Sequence, residues 1–274
     1  MWFKKRRFCG DDIVRVDIIN RYNYVLEISY DGSHYFGSQY QPNKITVESD
    51  LKKHLIFFFK DIENLIFAGR TDSGVHATGQ CLNFFSSYKI DLKKIKAHVN
   101  RHSNYIKINS IKRLKEDFHS RKSALKRRYS YLFSNLELPV YLTNYVGHID
   151  INIDDKLIQE CLNVLIGEHD FAVFQKTGSS MGSTIRYIYD AKIEKFKYKV
   201  LTDSHKSIIL NRITIDGNAF LYRMIRNLLG AIFMICSKRN YSTLDFKRLL
   251  IQNKRIFNFK PAPAAGLYLN KIWY

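Results

Sequence analysis

The stretch Phe67-Ala68-Gly69-Arg70-Thr71-Asp72-Ser73-Gly74-Val75-His76-Ala77 decides how the rest of the chain reads. An apolar run, Leu65-Ile66-Phe67, leads into it, and a strand-like run, Cys81-Leu82-Asn83-Phe84-Phe85, leaves it. Between them stand an arginine, a carboxylate, a histidine and the glycines Gly69, Gly74 and Gly79. Connections inside compact domains are usually about 4–6 residues. This one is about twice that, so it does more than reverse the chain. Asp72-Ser73-Gly74 on its own fits an Asx turn, in which the carboxylate bonds its own backbone.

Outward from this loop, the elements alternate. Tyr24 to Tyr30 is rich in strand formers and closes on Asp31-Gly32-Ser33. Thr46 can cap a helix with Val47, Leu51, Leu55 and Phe58 on one face. Ile62 to Phe67 reads as a strand before the loop, and Cys81 to Ser86 as one after it. Asp91 caps a helix carrying Leu92, Ile95 and Val99, and Tyr105 to Ile111 is a further strand. The order is β-α-β-β-α-β, a ferredoxin-like unit. The second half repeats it. Strands are expected at Tyr129 to Phe133, Ile188 to Val200, Ile208 to Ile215 and from Leu267. Helices are expected after Asp154 or Asp155, stopped by Gly167, and over Phe220 to Cys236. The boundary falls near Leu114 to Asp117, with no Gly/Ser- or Pro-rich linker, so the units should pack closely. The division is 1–21, a basic extension that is either a solvated tail or a phosphate-contacting arm, then 22–115 and 116–274.

Composition narrows the partners. The 274 residues carry 44 Lys+Arg against 25 Asp+Glu, a formal net charge of +19, which points to a polyanion, nucleic acid before an anionic membrane surface. No apolar run approaches the ~20 residues that span a bilayer. Cys9, Cys81, Cys161 and Cys236 are scattered without a Cys-x-x-Cys pair, which argues against zinc, and Cys81, Cys161 and Cys236, in apolar surroundings, read as reduced core residues. The basic start is not followed by an apolar region, so a cytoplasmic protein is expected.

The string Gly69-Arg70-Thr71-Asp72-x-Gly74-Val75-His76-Ala77 resembles the catalytic loop of the tRNA pseudouridine synthase A family, enzymes that isomerise uridine in the anticodon stem-loop. Three more blocks follow in the family's order. Phe118-His119-Ser120-Arg121 and Arg127-Arg128-Tyr129-Ser130-Tyr131 resemble its Phe-His-Ala-Arg and Arg-Arg-Tyr-x-Tyr strings. Ala219-Phe220 with Met224-Ile225-Arg226-Asn227 resembles its Ala-Phe-x-x-x-Met-Val-Arg-Asn helix. Gly266-Leu267-Tyr268-Leu269 resembles a Gly-Leu-x-Leu strand beside the cleft, and equally suits a buried sheet edge.

The resemblance makes Asp72 the catalytic carboxylate, either a nucleophile at the ribose C1′ or a base at C2′. Arg70 matches the arginine that pairs with it and would keep it ionised, with a phosphate contact or plain surface charge as the alternative. Tyr129 matches the active-site tyrosine, which would stack on the target base and assist proton transfer at C5; without the resemblance it reads as a core tyrosine. Arg226 matches an arginine lining the cleft. An arginine on so apolar a helix demands an anionic partner. His76 is a substrate contact or a structural hydrogen-bonding residue. Lys126, Arg127 and Arg128, with Arg121 and Gln39, are candidate tRNA contacts; the run of three could also be a solvated basic face.

The implied architecture is two α/β subdomains on one continuous antiparallel sheet, with helices on one side and the site in the cleft between them. The implied assembly is a homodimer binding tRNA across both subunits, with uridines at tRNA positions 38, 39 and 40 as targets and no metal or cofactor. Ser38 departs from the family's Tyr-Asp-Gly-x-x-Tyr-x-Gly-Trp-Gln, where tryptophan is usual. The rivals are a non-catalytic RNA-binding protein of two RRM-like units, which lacks an RNP1-type string, and a metal-dependent nuclease, which would need more carboxylates than Asp72.

Overall fold

A computed structural model describes residues 21–176, 178, 182–201, 207–238 and 240–274. The expected N-terminal extension, apart from Arg21, lies outside the described residues. Strand β1, Tyr22–Tyr30, buries Tyr24, Leu26, Ile28 and Tyr30, the period-2 pattern of a half-buried strand. Helix α1, Val47–Leu55, begins at Thr46, whose hydroxyl accepts from the Ser49 N–H while Ser49 Oγ accepts from the Thr46 N–H. Strands β2, Ile66–Phe67, and β3, His76–Ser86, flank the loop. Helix α2, Leu92–His102, is capped by the Asp91 carboxylate, and β4, Ile106–Leu114, ends the first unit.

The second half runs β5, Lys126–Ser134; β6, Gly147–His148; α3, Asp155–Val164; β7, Gly167–Asp170; β8, Ile185–Lys199; β9, Ser207–Gly217; α4, Met224–Ser237; α5, Thr243–Gln252; and β10, Leu267–Trp273. The expected β-α-β-β-α-β order recurs as β5-α3-β8-β9-α4-β10, with β6, β7 and α5 added.

The ten strands among the described residues form one sheet, ordered β4-β1-β3-β10-β5-β9-β8-β7, with β2 on β3 and β6 on β5. Most pairs are antiparallel. The exceptions are β10 with β3 and β5 with β6. The chain's last strand is therefore interior. On one side Tyr268 and Leu269 face His76 and Ala77; on the other Leu267 to Trp273 pair with Tyr131 to Lys126. The Gly-Leu-x-Leu segment is thus no sheet edge. Gly79 answers to this approach, because a Cβ there would lie 2.1 Å from the Asn270 carbonyl oxygen. A single apolar cluster joins the two halves, from Tyr24 and Leu51 to Leu228 and Phe246.

Several boundaries differ from expectation for identifiable reasons. β3 starts at His76, five residues before the apolar run, because β10 supplies a distant ladder partner there. The segment 62–65 buries Ile62 and Leu65 without joining the ladder. Just before it, Asp61 is held by Ser86 and Ser87. α1 ends before Phe58 and turns through three phenylalanines, of which Phe59 enters the core. α4 begins at Met224, not Phe220, because Arg223 has left-handed backbone, φ 62°. Gly167, at φ 106°, opens β7 as well as following α3.

Candidate active site

The segment following β1 grips the loop between β2 and β3. Ser38 N–H donates to the Thr71 carbonyl (3.1 Å), and Ser38 Oγ accepts from the Thr71 N–H (2.9 Å). Ser38 is fully buried. Tyr30 and Thr71 share a hydroxyl–hydroxyl bond of 2.8 Å behind it. The Gly74 N–H and Ser73 Oγ both donate to the Tyr35 carbonyl. Gly37 allows this approach, since its φ is 96° and a Cβ would stand 2.8 Å from the Thr71 oxygen. The serine that replaces the family's usual tryptophan thus forms a clasp on the residue before Asp72.

This clasp leaves the Asp72 side chain to look elsewhere. The loop turns through the Asp72 carbonyl, which accepts from the Val75 N–H at 3.1 Å. No Asx bond to the carboxylate occurs among the described residues. Asp72 Oδ2 instead meets Arg226 Nη1 at 3.3 Å, with Arg223 Nε at 4.0 Å. The carboxylate is only 10% exposed. Arg226 is itself fixed: its Nε donates to the Ala262 carbonyl (2.8 Å), and the Ala262 N–H donates back to the Arg226 carbonyl (2.8 Å). Beside it, Gly230 lets α4 lie directly on the 260–262 segment; a Cβ there would be 1.9 Å from the Lys260 oxygen. The expectation that Arg70 pairs with Asp72 is corrected: Arg70 is exposed, and the arginines at the carboxylate come from the far half of the chain.

Tyr129 lies on β5, facing the loop. Its hydroxyl is 3.7 Å from where a Cβ on Gly69 would stand, and its ring meets Phe220 edge-on at 5.2 Å. Burial, with the charge of Asp72, pushes its pKa above the ordinary tyrosine value. Tyr30 is pushed up to about 12, mainly by burial. Both are phenols, not phenolates, at neutral pH.

The other candidates divide. Arg127, expected to contact tRNA, is only 7% exposed and spends its guanidinium on the backbone. Its nitrogens donate to the carbonyls of Ala68 (3.1 and 3.3 Å), Arg121 (2.9 Å) and Asn218 (2.5 Å). It thereby ties the start of the loop to the β9–α4 connection. Arg128 forks onto the buried Asp216 at 2.7 and 2.8 Å, and Lys126 adds 3.2 Å while lying over the Trp273 ring. The basic run is part of β5, so strand alternation sends Arg127 one way and its neighbours the other. Arg127 is therefore not available to a phosphate, while Lys126 and Arg128, about a third exposed, are paired with Asp216 rather than forming a free solvated face.

His76 is 2% exposed. Its Nδ1 accepts from the Gly32 N–H (3.0 Å), so Nε2 carries the hydrogen and donates to the Asn144 carbonyl (2.9 Å). Its ring stacks on Tyr268 at 4.7 Å, and burial lowers its pKa. These contacts make it a structural neutral imidazole rather than a substrate contact. Gln39 and the Arg121 side chain are exposed. Arg223 escaped the sequence reading, which gave it no role of its own; its position one helical turn before Arg226 was the available signal. Among the described residues no group of three or more His, Cys, Asp or Glu is placed to hold a metal ion. No helix among them is long and apolar enough to cross a membrane.

The geometry coincides with the comparisons. A family profile described as tRNA pseudouridine synthase matches residues 28–121 and 162–274. The tRNA pseudouridine synthase A of Thermoanaerobacter sp. (strain X514) is 34% identical over 255 residues, 92% of this chain and 99% of that one. That of Borrelia garinii subsp. bavariensis is 36% identical over 256 residues, 91% of this chain and 98% of that one. That of Buchnera aphidicola subsp. Schizaphis graminum is 34% identical over 257 residues, 92% and 91%. With matches along nearly its whole length, and a nearly buried carboxylate held between its two halves, the chain belongs to the tRNA pseudouridine synthase family.

Proposed function

We propose that this synthase acts on uridines of the tRNA anticodon stem-loop, at positions 38, 39 and 40, with Asp72 as its catalytic carboxylate. The observation that carries the assignment is the placing of Asp72: nearly buried, clasped from behind through Thr71, and faced by Arg226, with no backbone donor on its oxygens among the described residues. The carboxylate attacks C1′ or removes the C2′ proton, and the N1–C1′ bond breaks. The uracil turns within the cleft and C5 bonds to C1′, displacing the carboxylate in the first route and accompanied by return of the proton to C2′ in the second; the C5 proton is lost as N1 gains one. Tyr129 supplies a buried flat surface for the turning base. Burial keeps it a phenol that can donate a hydrogen bond to the base as the proton at C5 is transferred. Arg226 orients Asp72, and Arg70, exposed on the loop, remains available to the RNA.

The two units, 22–115 and 116–274, meet at β10, so the site requires both. Resemblance to the family further supports a homodimer that binds one tRNA across both copies, in the cytoplasm. Light scattering that gives a single chain of 32.3 kDa at micromolar concentrations would contradict the dimer.

The test is Asp72→Ala, with tRNA binding and pseudouridine yield measured on the same preparation after chemical derivatisation. Yield should fall to background while binding persists, since affinity rests mainly on phosphate contacts. Substantial residual product would remove Asp72 from the mechanism.

A further inference from the structure

Two arginines of the α4 segment reach Asp72, and they are held very differently. Arg226 has its ion pair with the carboxylate and its bond to Ala262. Arg223 Nε is buried, yet it has no hydrogen-bond partner, and its approach to Asp72 at 4.0 Å is beyond hydrogen-bonding range. A guanidinium offers five donors and tolerates burial poorly when they go unused. The rest of the side chain is not closed in; it is 37% exposed. Its Cζ lies 5.8 Å from the ring of Tyr222, itself 46% exposed, and Lys176 Nζ lies 5.2 Å from the same ring. The backbone of Arg223 is at φ 62°, ψ 6°, which costs an arginine energy that glycine would not incur. Arg223 caps α4 without any side-chain cap bond, so the conformation brings the helix no capping gain.

A strained backbone that delivers an under-bonded cation to the mouth of an anion's pocket has a chemical reading. A nucleotide with its ribose at Asp72 carries a phosphodiester a few bonds away. That anion would meet the Asp72 carboxylate unless a cation stood between them. We propose that Arg223 binds a non-bridging oxygen of the phosphodiester flanking the target uridine. Arg226 serves the carboxylate, and Arg223 serves the substrate. The inference rests on Asp72 being the carboxylate at which the ribose is placed.

Glycine accepts the left-handed backbone freely, so Arg223→Gly removes the guanidinium without the risk of misfolding that other substitutions carry. The first measurement is tRNA affinity against salt. Arg223→Gly should weaken binding roughly tenfold and reduce the slope of log affinity against log salt by about one, as for the loss of one phosphate contact. Arg223→Lys should restore part of both. The second uses a stem-loop RNA with a single methylphosphonate at either linkage flanking the target. At one of these linkages the neutral substitution should cost the wild type in KM and cost Arg223→Gly nothing further. An unchanged slope, or equal methylphosphonate penalties in both proteins, overturns the assignment. So does a loss confined to kcat, which would show Arg223 acting on Asp72 instead. If the wild type modifies tRNA outside the anticodon stem-loop, the target reading fails, but the salt slope on whole tRNA still decides the phosphate contact.

Discussion

Lys126-Arg127-Arg128 and the pair Arg223/Arg226 are both cationic groups close to the cleft, and they have opposite fates. The run is the denser charge in sequence, and each of its members already has a partner within the protein. Arg127 is buried on three carbonyls, and Lys126 and Arg128 are taken by Asp216. The pair is diluted by apolar neighbours, yet both members face the one nearly buried carboxylate of the loop. Charge density along a chain reports what could bind an anion; burial and prior partners decide what does. A cation with all its donors bound to the protein has little left for a phosphate.

The largest expected effect is on the pair. Arg226→Gln should lower kcat roughly 100-fold, the scale of losing one preorganised charged donor, with little change in tRNA affinity. Steady-state kinetics beside a binding curve separate the two. An affinity loss with kcat intact would move Arg226 into the class first assigned to the run.

Arg127→Ala should instead act on stability. It leaves the carbonyls of Ala68, Arg121 and Asn218 without this donor and opens a buried space, costing roughly 3 kcal/mol in denaturant titration. If the variant is stable but binds tRNA with a reduced salt slope, the comparison drawn above is broken.

Ser38→Ala tests the clasp. Losing the hydroxyl leaves the buried Thr71 N–H unpaired, at about 1–2 kcal/mol, and should lower kcat by loosening the loop under Asp72. Full activity in this variant would make Ser38 a passive replacement for tryptophan.

His76 sharpens the contrast between buried and available groups through pH. Its folded pKa lies below the usual histidine value, so below about pH 6.5 the unfolded chain takes up a proton that the folded one resists. Its contribution is complete above that pH and is lost as pH falls through the folded pKa. Melting temperatures between pH 7.5 and roughly 5.5 should therefore fall more in the wild type than in His76→Gln. Parallel curves would mean that His76 protonates as readily in the folded protein.

The smallest effect belongs to Lys126→Ala. Arg128 keeps both oxygens of Asp216, and Lys126 is partly exposed, so stability should change by less than about 1 kcal/mol. The salt slope of tRNA binding should not change. A slope reduced by about one would return Lys126 to the phosphate contacts.

The sequence by itself determined the β-α-β-β-α-β order, the caps at Thr46 and Asp91, a third cap at Asp154 or Asp155, of which the structure uses Asp154, and the loop that carries Asp72. These depend on period, capping chemistry and turn residues, all local in the chain. It also singled out Arg226, since an arginine on an apolar helix has to find an anion. Only the tertiary structure decided which cation meets Asp72, because Arg226 and Asp72 are 154 residues apart and converge through the packing of α4 on 260–262. It alone placed the last strand between β3 and β5, started β3 at His76, and turned Ser38 from a missing tryptophan into a clasp. Each of these is a pairing between distant segments, and local periodicity carries no information about which distant backbone will supply the partner.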